Sequence, residues 1–316
     1  MKSLYPMVLA PTFVERVWGG RRLDTWYPAE LPAGPIGEAW ALSAHASAPS
    51  TVTNGALSGV RLDSVWAKFS RCISGKAGAR FPVLVKLIHA AKDLSVQVHP
   101  DDTYEGPAPG QAGKSEMWLV LHAEPGASIV HGVNEGVTRR DLASAAQAGS
   151  IEECLCRVPV QAGDVVPVPP GTIHALGAGT VVAEVQQNSD TTYRLWDYNR
   201  PGLDGKPRQL HLQDGLAVAS VAAAPSITRP AAGTMDEPTR IGVLPGRLVV
   251  GYAQLTGGYE AEARSLLGLL VIQGNLEVGT PAANVAAGHC MLIPESCGEC
   301  ILASRGGASV ITMSFT

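Results

Sequence analysis

Short apolar runs separated by glycine and proline follow one another along most of the 316-residue chain. Residues 37 to 45 show the simplest pattern, because Glu38, Trp40 and Leu42 alternate with small residues. In a β-strand this alternation places the three larger side chains on one face. Short strands with glycine turns predict a β-sandwich or barrel rather than a sheet of alternating strands and helices.

Residues 81 to 89 form an almost continuous apolar run, which predicts a buried strand. Lys86 interrupts this run, and a buried ammonium is costly without a partner. Lys86 therefore either points into a pocket or reaches outward from a sheet edge. Residues 61 to 73 carry apolar side chains at helical spacing, and a capping box at Thr138 begins a second predicted helix over residues 138 to 147.

The second half of the chain repeats one feature of the first. Gly163 is followed six residues later by Pro169, and Gly288 is followed at the same spacing by Pro294, with an apolar strand between in both cases. We therefore expect a metal-binding β-domain over residues 1–225 with a few short helices, a linker over 226–240, and a smaller β-domain of similar skeleton but without metal over 241–316.

Composition narrows the classes of function. A formal charge of −4 and a pI near 6.1 give no basic surface for nucleic acid, so no nucleic-acid partner is expected. The N-terminus lacks a signal peptide pattern, and no run reaches the roughly 18 apolar residues of a membrane span. These features predict a soluble, cytoplasmic protein without disulfides. Cys297 and Cys300 form a CxxC, but a second pair that would complete a zinc knuckle is missing from the sequence.

Four residues have the pattern of an open metal site. Gln97 and His99 are two apart and face the same way on a strand, Glu116 begins the next apolar run, and His174 follows a strand and a Pro-Gly turn. Because a structural zinc site usually has cysteines, a ligand set without them favours a catalytic site. The neutral amide suits one redox-silent Zn²⁺ per chain better than an iron centre for dioxygen.

A second polar cluster lies over residues 184 to 200 and mixes aromatic, acidic and basic side chains. Arg194 offers a planar fork for a phosphate or an enediolate oxygen, and carboxylates such as Asp190 can move protons. Together with Glu184, these residues are typical of the rim of a sugar-binding pocket.

The spacing Gly163-x5-Pro-x-Gly-x2-His174 resembles the second motif of the cupins, which are double-stranded β-helix (jelly-roll) barrels. Several motifs in order, over roughly residues 7 to 220, further resemble the short bacterial form of the type I mannose-6-phosphate isomerases. They are Trp18-Gly-Gly, Ser43-Ala-His, Gln97-Val-His-Pro-Asp-Asp, Lys114-Ser-Glu-Met-Trp, Pro170-Gly-Thr-Ile-His-Ala-Leu and residues 184 to 194. One position departs from the family pattern, since Ala46 follows Ser-Ala-His where a proline is expected.

The resemblance implies a zinc-dependent interconversion of mannose 6-phosphate and fructose 6-phosphate through a cis-enediolate. Its ligand positions fall on Gln97, His99, Glu116 and His174, and its active-site arginine falls on Arg194. Lys114 and Asp190 match positions proposed for proton transfer. We further expect substrate contacts from four residues, namely Trp18, Ser43, Lys86 and Glu184.

The sequence leaves open which group is the catalytic base that transfers the proton. Lys114 is preferred because Zn²⁺ and Arg194 would lower its pKa, while Asp190 and a metal-bound water are alternatives. Two other functions also stay open, an iron-dependent cupin oxygenase and a non-catalytic sugar-binding cupin. A sugar phosphate is the expected partner, and the chain is either a monomer or a homodimer.

Overall fold

The computed structural model describes residues 4–74, 80–106, 112–246, 248–262, 267–279 and 282–315. The strands before residue 200 are β1 (Met7–Ala10), β2 (Thr12–Gly20), β3 (Ile36–Leu42), β4 (Thr51–Val52), β5 (Val83–Ala90), β6 (Val96–Val98), β7 (Glu116–Ala123), β8 (Ser128–Val133), β9 (Leu155–Pro159), β10 (Val165–Val168), β11 (His174–Leu176), β12 (Thr180–Gln187) and β13 (Tyr193–Trp196). Those that follow are β14 (Gly233–Thr234), β15 (Thr239–Leu244), β16 (Leu248–Glu262), β17 (Leu267–Gln273), β18 (Asn275–Val278), β19 (Ala283–Ala286), β20 (Cys290–Ile293) and β21 (Glu299–Phe315).

Short helices connect some of these strands. The α-helices are α1 (Leu62–Ser74), α2 (Arg139–Ala148) and α3 (Leu212–Val218), and single 3-10 turns span Arg22–Thr25, Gly55–Leu57, Ile151–Cys154 and Glu295–Cys297. The two predicted helices are confirmed. In α2 the Thr138 side chain accepts from the amide of Asp141 and the Asp141 carboxylate accepts from the amide of Thr138, which completes the capping box. Within the described residues, no helix has both the length and the apolar character to span a bilayer.

Two antiparallel sheets enclose the candidate site. One has six strands in the order β10-β7-β12-β5-β3-β2, and the other has five in the order β13-β6-β11-β8-β9. Apolar side chains from both sheets, such as Trp118 and Ile129, pack into one buried cluster between them. This arrangement confirms the predicted mainly β, cupin-type jelly roll.

A third, ten-stranded sheet contains the C-terminal strands but also two strands from the beginning of the chain. Its main path is β14-β16-β21-β17-β20-β1-β4, and β1 pairs with β20 through Met7 and Leu292. The largest apolar cluster likewise combines Leu9 and Met117 with Leu270 and other C-terminal residues. The predicted domain limits at 225 and 241 stay a prediction, but strands on both sides of them share a sheet and a core. The predicted linker contains β14 and the first residues of β15.

The repeated glycines have the same backbone role. Gly163 and Gly288 both have positive φ, 91° and 86°, a conformation that favours glycine. Each precedes a strand, β10 or β20, and donates its amide to a carbonyl, that of Val120 or Val271. The sequence repeat therefore corresponds to one turn used twice in the fold.

Candidate active site

The five-stranded sheet aligns three of the predicted site residues. Gln97 in β6 pairs directly with His174 at the start of β11 and, on its other side, with Arg194 in β13. Side chains at paired positions of neighbouring strands point to the same face. The strand register thus places an amide, an imidazole and a guanidinium in one row, although they are far apart in the sequence.

The remaining ligand candidates meet this row at its centre. Glu116 begins β7 in the opposing sheet, and His99 follows directly after β6. Glu116 Oε1 lies 3.2 Å from His174 Nε2, and Glu116 Oε2 lies 3.5 Å from His99 Nε2. The ligand atoms of the three residues lie within 4.8 Å of one another, and all three side chains are buried. Gln97 adds its amide, whose nitrogen is 3.3 Å from His174 Nε2.

Hydrogen bonding and charge keep these groups in metal-binding forms. His174 Nδ1 is 2.8 Å from the carbonyl oxygen of Thr172; because that oxygen only accepts, Nδ1 carries a proton, which leaves Nε2, on the side of Glu116, as the nitrogen that can bind a metal. Burial and the neighbouring Lys114 lower the pKa of His99 to about 3, so its ring is neutral. Burial opposes ionisation of Glu116, but the charge of Lys114 outweighs it and holds the pKa of that carboxyl well below its usual value.

These properties fit a bound metal ion. Neutral imidazoles and an ionised carboxylate are the protonation states that coordinate metals. Both carboxylate oxygens of Glu116 are buried and accept no hydrogen bond of ordinary geometry from the described residues. A buried carboxylate is costly unless it is paired or coordinates a metal; Lys114 pairs with Oε2, and a metal ion would satisfy the remaining coordination of the carboxylate. Two histidines, one carboxylate and one amide match the oxygen- and nitrogen-rich ligand sets of open, catalytic metal sites.

Lys114 lies against the same carboxylate. Its buried Nζ is 2.5 Å from Glu116 Oε2 and 3.1 Å from His99 Nε2. The lowered pKa that we expect for Lys114 beside Zn²⁺ and Arg194 stays a prediction; the surrounding protein groups by themselves act in the opposite direction. Burial acts in the lowering direction, but Glu116, Glu184 and Glu38 outweigh it and raise the pKa.

A cavity of about 720 Å³ opens in front of these residues. One wall is a second row of paired side chains across the six-stranded sheet, Trp40, Lys86, Glu184 and Trp118. Lys86 Nζ is 3.2 Å from Glu184 Oε2 and lies over the Trp40 ring, 4.7 Å from its centroid, while Trp118 Nε1 donates to Glu184 Oε1. Lys86 therefore points inward with a paired charge and does not reach out from an edge.

Most of the predicted site residues line this cavity. They are Trp18, Lys86, Gln97, Lys114, Glu184, Asp190 and Arg194, with His99, Glu116 and His174 clustered beside them. Ser43 does not reach it, since it is fully buried and its Oγ accepts from the amide of His45. Its substrate contact stays a prediction that the geometry does not support.

Leu42 also departs from its predicted position. The pairing of β3 with β5 shifts by one residue between Trp40 and Leu42. Glu38 and Trp40 consequently face the cavity as the alternation predicts, whereas Leu42 packs into the main apolar core. A β-bulge reverses the faces of the residues that follow it, and sequence alternation alone does not reveal one.

Two arginines at the cavity were missed from the sequence. Arg16 pairs with Glu38 at 2.9 Å, and Arg208 makes two hydrogen bonds to Asp197, of 2.6 and 2.5 Å. With Arg194 they form a group of three cationic side chains on one cavity, and burial together with Arg208 lowers the pKa of Arg194. Arg16 lies two residues before Trp18 and was detectable from strand alternation, whereas Arg208 lies on a loop without any such signal.

The jelly roll and its buried histidine–carboxylate cluster define this protein as a cupin with a candidate metal site. Comparison with known proteins then identifies a family within the cupins. Residues 7–112 match the family described as phosphomannose isomerase type I, catalytic domain. A mannose-6-phosphate isomerase of Streptococcus mutans is 33% identical over 294 residues, which cover 92% of this chain and 93% of that protein.

Further relatives agree with this assignment. A mannose-6-phosphate isomerase of Bacillus subtilis is 41% identical over 222 residues, 70% of each chain. The crystal structure of a mannose 6-phosphate isomerase from Bacillus subtilis superposes with a TM-score of 0.85 at 30% identity, covering 99% of this chain and 100% of that one. The chain therefore belongs to the type I phosphomannose isomerases, a family of enzymes.

Proposed function

We propose that this enzyme interconverts mannose 6-phosphate and fructose 6-phosphate with one bound Zn²⁺. The observation that carries the proposal is the cluster of His99, Glu116 and His174, buried at a cavity that is also lined by two lysines and three arginines. This combination supplies a metal site, a proton-transfer group and an anion-binding surface in one place. The names of the relatives, which are mannose-6-phosphate isomerases, support mannose 6-phosphate as one of the two substrates.

The ligand chemistry supports zinc. Gln97, His99, Glu116 and His174 would hold the ion with nitrogen and oxygen donors, and a set with a neutral amide suits a redox-silent metal. When bound, Zn²⁺ supplies positive charge that stabilises a developing negative oxygen on the sugar and disfavours the charged form of Lys114.

The reaction moves one proton between C2 and C1 of the open-chain sugar. We assign Lys114 as the base, because its amine can take the proton from C2 and return it to C1 of the cis-enediolate. Asp190 at the cavity mouth would serve the oxygens, accepting the O2 proton as the C2 carbonyl forms and giving a proton to O1. Arg194, in the row with Gln97, would stabilise the negative oxygen that develops between these steps.

The phosphate needs a cationic subsite. Arg16 and Arg208 line the same cavity as Arg194 while keeping their own carboxylate partners. A guanidinium held by a carboxylate is oriented in advance and retains free N–H donors for phosphate oxygens. Lys86 and Glu184 face the space between the ligand cluster and these arginines, which suits contacts to sugar hydroxyls. A cytoplasmic location and a monomeric or dimeric state stay predictions.

One experiment separates this function from an iron oxygenase or a sugar-binding module. The purified enzyme is loaded with zinc or with iron and incubated with mannose 6-phosphate, with and without oxygen, while products are followed by NMR and oxygen by an electrode. We expect fructose 6-phosphate from the zinc form at a rate independent of oxygen. Oxygen uptake by the iron form would instead support the oxygenase, and binding without product from either form would support the binding module.

A further inference from the structure

The motif Ser43-Ala-His45 has no place in the mechanism so far, yet its histidine contacts Asp190, a residue at the mouth of the cavity. His45 Nε2 is 3.6 Å from Asp190 Oδ1, and Ser47 and Asp190 both line the opening. Asp190 is well exposed, with 60% of its side chain accessible, whereas His45 retains only 24%. An exposed carboxylate can adopt several rotamers unless a more rigid group holds it.

His45 is such a group, because it is fixed on several sides. Its amide donates to Ser43 Oγ at 3.2 Å, and its ring packs edge-on against Trp40 with centroids 5.7 Å apart. Ser43 is held in turn by Ser50, whose Oγ accepts from the Ser43 amide and donates to the Trp40 carbonyl. The buried Ser43 thus holds the backbone of His45 in place through this hydrogen bond.

The hydrogen bonds of the ring also determine which nitrogen carries the proton. Ser47 Oγ lies 2.7 Å from His45 Nδ1, and the Ser47 amide donates to the same nitrogen at 3.4 Å. An amide N–H can only donate, so Nδ1 accepts and the ring proton is on Nε2. Nε2 faces Asp190, and the ring therefore directs an N–H at the carboxylate.

We infer that His45, oriented by Ser47, is a positioning residue that holds Asp190 where it serves the sugar oxygens. The inference rests on the proposed function, because Asp190 acts as a proton-transfer group only if the reaction moves a proton between O2 and O1 of the sugar. His45 does not line the cavity itself and acts through the carboxylate. Loss of His45 should therefore lower kcat and leave KM nearly unchanged.

A double-mutant cycle tests this coupling. His45→Ala is expected to lower kcat for mannose 6-phosphate by about 10- to 100-fold with KM changed less than about twofold, the effect of misplacing a reacting group. In the Asp190→Asn background the same substitution should have almost no further effect. His45→Gln, whose amide nitrogen can replace Nε2, should recover most of the loss.

Controls keep the outcome interpretable. His122→Ala removes another histidine paired with a carboxylate, Glu124 at 3.2 Å, away from the cavity, and should leave kcat unchanged. Circular dichroism checks folding, and Ser47→Ala gives a second, milder variant whose smaller loss should also vanish in the Asp190→Asn background.

Three results would overturn the inference while leaving the proposed function intact. They are an unchanged kcat in His45→Ala, an equal loss in both backgrounds, or a Gln variant no better than the Ala variant. Absence of turnover by the zinc-loaded natural enzyme is a different result, since it would overturn the proposed function itself.

Discussion

At the residue scale, Lys114 and the ligand cluster share one carboxylate oxygen. Lys114 Nζ is 2.5 Å from Glu116 Oε2, and His99 Nε2 is 3.5 Å from the same atom. The lysine is therefore close enough to any ion on Glu116 to interact with its charge, and it lines the cavity in which we propose that the sugar binds. The proposed proton transfer and the proposed metal binding make separate demands on these residues, and separate substitutions test them.

Replacing the lysine should affect chemistry and not metal binding. Lys114→Ala is expected to lower kcat by about 10²- to 10⁴-fold, the usual contribution of a positioned acid–base group, while the zinc content stays near one per chain. Steady-state kinetics and elemental analysis measure both quantities. Lys92→Ala, which removes an exposed lysine, is the matched control. Turnover of Lys114→Ala near that of the natural enzyme would remove Lys114 as the base.

Replacing a proposed metal ligand should instead lower zinc binding. His99→Ala takes a nitrogen donor from a site that has few others, so zinc per chain should fall from about one to a small fraction after dialysis. Elemental analysis of the dialysed protein measures this loss directly. The control is His122→Ala, which should retain its zinc. Full zinc occupancy in the His99 variant would show that the metal lies elsewhere.

The spacing of residues in the sequence was sufficient to predict the candidate ligand cluster but not the residues around it. Gln97 and His99 are two residues apart, and strand geometry alone places them on one face. Arg208 and the hydrogen bonds around His45 depend on loop conformations, which no periodic pattern encodes. The effect of the protein on the pKa of Lys114 could not be predicted from the sequence either, because the direction of the shift depends on carboxylates from three different strands.

At the element scale, strand type and order were predictable because glycine and proline mark the ends of the apolar runs. The pairing register was not, and the bulge after Trp40 that turns Leu42 into the core is an example. The repeated turn is the clearest element-level success. The repeat places Glu299 where the first copy has His174, so the second copy keeps the turn without the histidine.

The two copies of this turn should differ in their tolerance of alanine. Both glycines have positive φ, so Gly163→Ala should cost about 1 kcal/mol of unfolding free energy from backbone strain. A Cβ on Gly288 would lie 2.7 Å from the Tyr27 ring, so Gly288→Ala should cost more, about 3 kcal/mol. Urea unfolding measures both. Gly205→Ala, at positive φ in open space, is the strain-only control; a Gly288 variant no less stable than it would contradict the packing argument.

At the scale of the whole molecule, the N-terminal strands connect the barrel that contains the candidate metal site to the C-terminal sheet. β1 lies between β20 and β4, and Leu9 shares a core with Leu270 and Ile311. The sequence suggested two domains because composition changes near residue 225. Contacts between strands almost 300 residues apart leave no local signature, so the shared sheet could not be predicted.

This shared core predicts that the barrel depends on the C-terminal part. A fragment of residues 1–225 would expose the apolar surface that β20 and its neighbours cover, so we expect it to aggregate or to lack a cooperative thermal transition. The full chain should unfold in one transition. Calorimetry of both proteins measures this. A fragment that melts cooperatively near the Tm of the full chain would establish the barrel as an independent domain.

The most direct measurement of the central claim is the rate of fructose 6-phosphate formation from mannose 6-phosphate during removal and return of zinc. A chelator should abolish turnover without unfolding the protein, and added zinc should restore it in proportion to occupancy, reaching its full value at about one ion per chain. Turnover that persists in a protein shown to be free of metal would contradict the account, as would a folded, fully zinc-loaded protein that forms no fructose 6-phosphate.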